Sequence, residues 1–156
     1  MKLALALVIP TLLLPALVGS AAASVAAAPP AAHIAPLFPW VPEGGYPDPF
    51  PFGQCTWWAS YNRRVTWNGN AAEWLANANA IGVATSDAPS VGAIVVYRPG
   101  GRYSLYGHVA LVIDVGATSY TVSEMNAPRW GVVSTRVIAW PDAEVQGFIP
   151  AWEDHG

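Results

Sequence analysis

Residues 107–126 read GHVALVIDVGATSYTVSEMN. Two runs rich in β-branched residues, 109–115 and 120–125, flank a small-residue segment, which is the pattern of an antiparallel hairpin. Strand side chains alternate with a period of two, so Glu124 and Asn126 share a face. A three-residue loop, Gly116-Ala117-Thr118, sets His108 across from Asn126 and Ala110 across from Glu124, with all four on one face. A two-residue loop turns His108 to the face opposite Glu124. The three-residue loop is expected, with Gly116 in a left-handed position.

Outward from this hairpin the β pattern continues. Further strands are read at 93–97, 132–138 and 147–149, separated by Pro99-Gly100-Gly101, Gly116, Pro128 and Pro141. Upstream the pattern is helical. One helix is expected from residue 56 to about 64, ended by Asn68-Gly69. A second opens at Asn70, whose side chain can cap it while the Glu73 carboxylate reaches back to the cap amide; it runs to about residue 80, with Gly82 placed to close it. Two helices followed by strands on short loops predict an α+β domain: N-terminal helices packed on a five- to six-stranded antiparallel sheet.

The 156 residues are not all domain. Lys2, the apolar run 3–18 and Ala21-Ala22-Ala23 read as an export signal over residues 1–23, cleaved after Ala23. An uncleaved anchor is the competing reading, but the run is short for a span and broken by Pro10 and Pro15. Residues 24–45 read as a proline-rich linker, and eight prolines fall between positions 29 and 51, which precludes a helix there. Residues 46–152 remain as one small domain. Lys2 is the only lysine, so the exported part carries six arginines against ten carboxylates. That balance excludes the basic stripe of a nucleic-acid binder. A single cysteine excludes an internal disulfide and a cysteine-based zinc cluster.

The lone Cys55 stands at the start of the first helix, where unpaired amides and the helix dipole favour a thiolate over the ordinary pKa of ~8.5. A small buried hydrophobe is the competing reading. His108 is the only histidine inside the domain, since His33 lies in the proline stretch and His155 at the C-terminus. It opens a strand after a glycine and can face a cleft, although an ordinary core or surface histidine fits as well. Glu124 reads equally as a solvent-facing strand carboxylate. Spacing permits a Cys–His–acid/amide set and goes no further.

The stretches that carry these residues are Gly53-Gln54-Cys55-Thr56-Trp57-Trp58, Asn62-Arg63-Arg64, Gly69-Asn70-Ala71, Val91-Gly92-Ala93-Ile94, Gly107-His108-Val109-Ala110 and Val122-Ser123-Glu124-Met125-Asn126. In this order the chain resembles the CHAP family, the cysteine, histidine-dependent amidohydrolases/peptidases of the papain-like group. The resemblance implies catalytic Cys55 and His108, with Glu124 and Asn126 orienting the imidazole. It also implies cleavage of amide bonds in bacterial cell-wall peptidoglycan, between muramic acid and the stem peptide or within the peptides. The oxyanion is expected at the Cys55 backbone amide, helped by Gln54. Trp57, Trp58, Tyr103 and Tyr106 are candidate substrate contacts, with core packing the competing use of both tryptophans. Some CHAP enzymes bind calcium through several acidic residues around the cysteine. Here Asp48 is the only carboxylate in that stretch, so neither calcium nor any cofactor is expected.

The expected protein is a monomer, secreted or held in the cell wall after loss of its signal. Peptidoglycan is its partner, with no nucleic acid and no membrane beyond export. The alternative is a catalytically silent, wall-associated binding or antigen-like protein using the same cleft.

Overall fold

The computed structural model describes residues 35–152. The export signal read at 1–23, the first half of the linker (24–34) and both outlying histidines lie outside the described residues.

Helix α1 (Cys55–Asn62) is followed by a 3₁₀ turn (Ala71–Glu73) that runs directly into α2 (Trp74–Ala80). The expected capping box is present: the Asn70 amide donates to Glu73 Oε2 at 2.7 Å, and the Asn70 side chain accepts from the Glu73 amide. Five strands follow: β1 (Ile94–Tyr97), β2 (His108–Val115), β3 (Ser119–Met125), β4 (Val133–Ala139) and β5 (Val145–Ile149). They form one antiparallel sheet in the order β4-β3-β2-β1-β5. The α+β architecture is therefore as expected.

Both faces of this sheet are covered. Ile94, Val96, Val109, Leu111, Met125 and Ile149 meet Trp58, Ala59, Trp67, Trp74 and Ala78 on the helix side. Each large apolar side chain fully buried there contributes roughly 1.5–3 kcal/mol. The alternate residues, Val95, Tyr97, Ala110, Val112, Tyr120, Val122 and Phe148, build a second core on the other face. The sheet curls to enclose it. Trp140, just past β4, lies 5.2 Å ring to ring from Phe148 on β5, although those strands are opposite edges. Coiling of a twisted sheet brings them together.

The proline-rich approach packs on α1. Phe38 and Val41 are buried, the Leu37 amide donates to Asn62 Oδ1 at 2.7 Å, and the Tyr46 amide donates to the Tyr61 carbonyl at 3.0 Å. Covered by the sheet and by this segment, α1 buries seven of its eight residues. Just past it, the buried Arg63 guanidinium donates to the carbonyls of Gly92 and Pro150. This ties the end of α1 to the loop before β1 and the segment after β5.

The β2–β3 hairpin reaches the expected pairing by an unexpected route. At the turn Val115 faces Tyr120, and the Gly116 amide bonds the Ser119 carbonyl. The loop proper is thus Ala117-Thr118, and Gly116 is not among the left-handed glycines. That register alone would send His108 and Glu124 to opposite faces. A bulge at Ile113 inserts one residue into β2, after which Val112 faces Val122 and Leu111 faces Ser123. The bulge performs the correction that the longer loop was expected to provide.

Candidate active site

Two left-handed glycines set the positions of Cys55 and His108. Gly53 (φ +93°) turns the chain into α1 with its α-carbon against the Trp130 ring, so that a Cβ would lie 2.3 Å from Trp130 Cε2. Gly107 (φ +72°) precedes β2 so closely that a Cβ would lie 2.6 Å from Ala72 Cβ and 2.8 Å from the Tyr97 carbonyl oxygen. Gly107 excludes a side chain on steric and conformational grounds together, since backbone atoms crowd it, whereas at Gly53, which meets only the exposed Trp130 ring, the positive φ makes the demand.

Cys55, first residue of α1, and His108, first residue of β2, meet at the floor of a cleft of about 950 Å³. Gln54, Tyr103, Tyr106, Glu124, Asn126 and Arg136 also line it. His108 Nε2 lies 2.9 Å from Glu124 Oε2, which leaves Nδ1 as the ring nitrogen for the Cys55 thiol. Burial alone would push the Cys55 pKa up. The hydrogen bond and charge of His108 outweigh it, aided by the Val109 and Thr56 amides, and the net displacement is downward. Burial likewise opposes charging of His108, but its bonds to Cys55 and Glu124 win and raise its pKa to about 9. The thiol and imidazole therefore favour the thiolate–imidazolium form and titrate as a coupled pair.

Glu124 is 1% exposed. Burial would neutralise it, yet bonds from His108 and Arg136 hold its pKa below the ordinary value. Arg136 Nε donates to Oε1 at 2.9 Å and Nη2 to Oε2 at 3.0 Å. Sequence reading missed Arg136. It faces Val122 in the β3–β4 register, diagonal to Glu124, whose direct partner is Ser134. The signal was the single cation in an apolar strand pattern, but only the β3–β4 register reveals what it meets.

Three expected roles change. Asn126 does not orient the imidazole: its Nδ2 donates to Gln54 Oε1 at 3.0 Å. The cause is backbone geometry, since φ of +64° at Asn126 ends the strand alternation that would have aimed it at His108. Trp58 is not in the cleft; it is 3% exposed, and its indole donates to Ser123 Oγ at 3.0 Å. Trp57 packs on Phe52 and Tyr61. Tyr103 does line the cleft, but it stacks on the His108 ring at 4.7 Å and 3° and accepts a hydrogen bond from Arg136. Tyr106 lines the cleft and is 67% exposed, so it remains free for a ligand. Asp48 Oδ1 accepts from the Phe50 amide at 2.8 Å, closing a local turn. Among the described residues no group of three or more His, Cys, Asp or Glu is placed to hold a metal ion.

Comparison with known proteins bears on the same residues. The family model described as the CHAP domain matches residues 45–126, more than half of the chain, spanning Cys55, His108 and Glu124. A protein named putative hydrolase from Streptococcus mutans serotype c is 39% identical over 74 residues, 43% of this chain and 31% of that one. An N-acetylmuramoyl-L-alanine amidase domain-containing protein from Staphylococcus aureus is 35% identical over 111 residues, 65% of this chain and 18% of that one. The solved structure of an N-acetylmuramoyl-L-alanine amidase from Staphylococcus aureus superposes with a TM-score of 0.56 at 32% identity, covering 62% of this chain and 31% of that one. The chain thus spans less than a third of the length of each of these relatives. With the architecture, the ordered motifs and the family match in agreement, this chain belongs to the CHAP domain family.

Proposed function

We propose that the chain is an exported cysteine hydrolase that cleaves amide bonds of bacterial cell-wall peptidoglycan, either the muramoyl–L-alanine bond or a bond within the stem peptides. The observation that carries this reading is the run of bonds from Cys55 through His108 to Glu124 at the floor of an open cleft. The names of the amidase relatives support the substrate class.

In this mechanism the Cys55 thiolate attacks the scissile carbonyl carbon and forms a thioester as the C–N bond breaks. The imidazolium delivers its proton to the departing nitrogen. The neutral ring then takes a proton from water, whose hydroxide attacks the thioester, releases the acid and regenerates the thiolate–imidazolium pair. Glu124 holds the ring by Nε2 and stabilises its charge. The oxyanion rests on the Cys55 amide, one of those a helix leaves unpaired at its start. Gln54 supplies the second donor. Its Oε1 accepts from Asn126 Nδ2, which leaves Nε2 as the end that can donate. Each such donor contributes roughly 3 kcal/mol in the transition state. Asn126 is thus a positioning residue for Gln54. The domain works as a monomer outside the cell or in the wall, after removal of residues 1–23.

The test is lysis of purified cell walls by the full chain and by Cys55→Ala. The variant is expected to lose lysis while keeping the melting temperature within a few degrees. Unchanged lysis removes the assignment, and mass spectrometry of the released fragments identifies the bond cut. If neither protein lyses walls or cleaves muropeptides, the silent binding protein is the better reading.

A further inference from the structure

The exported part of the chain is acidic, yet the charge its cleft offers a ligand is positive. Five side chains that carry charge in the thiolate–imidazolium form line the cleft: Cys55, Arg102, His108, Glu124 and Arg136, three cations against two anions. Glu124 is buried and already accepts from His108 Nε2, Arg136 Nε and Arg136 Nη2, so it presents no free carboxylate. His108 is engaged by Cys55 and Glu124.

The arginines are not exhausted in this way. Arg136 spends Nε and Nη2 on Glu124 and Tyr103. A guanidinium has five N–H groups, so both hydrogens of Nη1 remain without a partner among the described residues. The Arg136 side chain is 29% exposed. Arg102, in the loop between β1 and β2, is 51% exposed and pairs with Glu144, its Nε 3.6 Å from Oε2. Its two terminal nitrogens are likewise unpartnered among the described residues. The same two arginines line a smaller side cavity of about 320 Å³ with Val137, Ile138, Pro141 and Asp142. They are the two residues common to both linings. Asp142, the carboxylate of the side cavity, accepts from the Glu144 amide at 2.9 Å through Oδ1.

We infer that Arg102 and Arg136 form a carboxylate-binding subsite, which selects peptide substrates bearing a free carboxylate beside the amide to be cut. This deepens the hydrolase reading above and rests on it. Two guanidinium groups with unused N–H donors that line the same two cavities suit the planar, bidentate geometry of a carboxylate. Arg136 is fixed in orientation by Glu124 and Tyr103, and that fixation lowers the entropy cost of engaging a ligand. Arg136 also grips the partner of His108, so a bound carboxylate is registered against the reacting centre through one rigid side chain. An amidated peptide would leave the same N–H groups facing a weaker, neutral acceptor.

The test compares two defined muropeptides that differ only in whether the stem-peptide carboxylate is free or amidated. The full chain is used as wild type, as Arg102→Gln, and as Arg129→Gln, an exposed cation outside the cleft. Wild type is expected to favour the free acid by about tenfold in kcat/KM, mainly through KM, in line with the strength of a charge-assisted hydrogen bond. Arg102→Gln is expected to bring the ratio close to one, Arg102→Lys to restore part of it, and Arg129→Gln to leave it in place. A wild-type ratio near one, or a ratio undiminished in Arg102→Gln, overturns the subsite. Cleavage of neither muropeptide counts against the hydrolase reading. The subsite is then decided by calorimetric binding of the same two peptides to Cys55→Ala, where equal affinity overturns it.

Discussion

The two faces of the sheet differ in what holds them. The helix side is an aliphatic and tryptophan core, in which the side-chain bond from Trp58 to Ser123 joins α1 to β3. The other face begins the same way, with Val95, Val112 and Val122, but turns polar toward the cleft. There Tyr97 bonds Tyr120, Tyr103 stacks on His108, and Arg136 joins Tyr103 to Glu124. Cys55 belongs to the first side by its helix and to the second by its bond to His108. Under the proposed hydrolase reading, the difference teaches that stability and chemistry are drawn from opposite faces of one sheet, and that they meet at a single sulfur. Substitutions on the polar face are therefore expected to cost activity, and those on the helix face to cost stability.

The largest effect expected is from His108→Ala. Removing the acid–base group lowers hydrolysis by roughly 10³–10⁴-fold. It also changes Cys55 across the sheet. With the imidazolium gone, burial is the dominant influence on the thiol and its pKa rises. Alkylation by iodoacetamide at pH 6 is expected to be fast in the wild type and slow in the variant. An unchanged alkylation rate at pH 6 would mean that the helix start alone activates the sulfur, and the contrast between the faces would fail.

Glu124→Gln is expected to act next, at about a hundredfold in kcat. The carboxylate favours the imidazolium, whose pKa of about 9 limits the thiolate–imidazolium form on the alkaline side. Loss of that charge lowers the imidazolium pKa, so the alkaline limb of the pH–rate profile moves to lower pH. Stability follows the opposite limb. The pKa of Glu124 is depressed in the folded protein, so its ionic contribution is full above the unfolded value and vanishes as pH falls through the folded one. The stability gap between wild type and variant should therefore narrow on acidification, as urea unfolding at neutral and acid pH would record. A profile whose alkaline limb stays in place would assign the high imidazolium pKa to Cys55 alone.

How much of this was legible in the sequence follows the same division. The helix side was readable because periodicity, the Asn70/Glu73 box and the Gly and Pro breaks are local signals. His108 and Glu124 were readable on one face because strand parity carries a face over many residues, whereas Cys55, on a helix, was joined to them only by the family resemblance. What failed depended on single-residue events. The Ile113 bulge and the two-residue loop each shift register by one, and their errors cancel, so the correct face was reached through the wrong turn. The left-handed Asn126 ends strand parity one residue after it was last needed, and hands the side chain to Gln54. Arg136 required the register of a strand pair whose connecting loop has no decisive turn signature. Trp58 could not be apportioned between cleft and core, because a helix of only eight residues buries nearly every side.

Trp58 is where the smallest effect is expected, and the comparison is sharpened most by a residue that changes nothing in the chemistry. Trp58→Phe keeps an aromatic ring beside Tyr61 but removes the indole N–H, leaving the buried Ser123 hydroxyl without its partner. The cost is that of one buried hydrogen bond plus some lost packing, about 1–2 kcal/mol. Thermal or urea unfolding should register it, while kcat/KM per folded molecule on a defined muropeptide stays within about twofold, since the ring lines no part of the cleft. A loss of activity without a loss of stability would mean that the helix face reaches the substrate after all. Chemistry would then have to be assigned to both sides of the sheet.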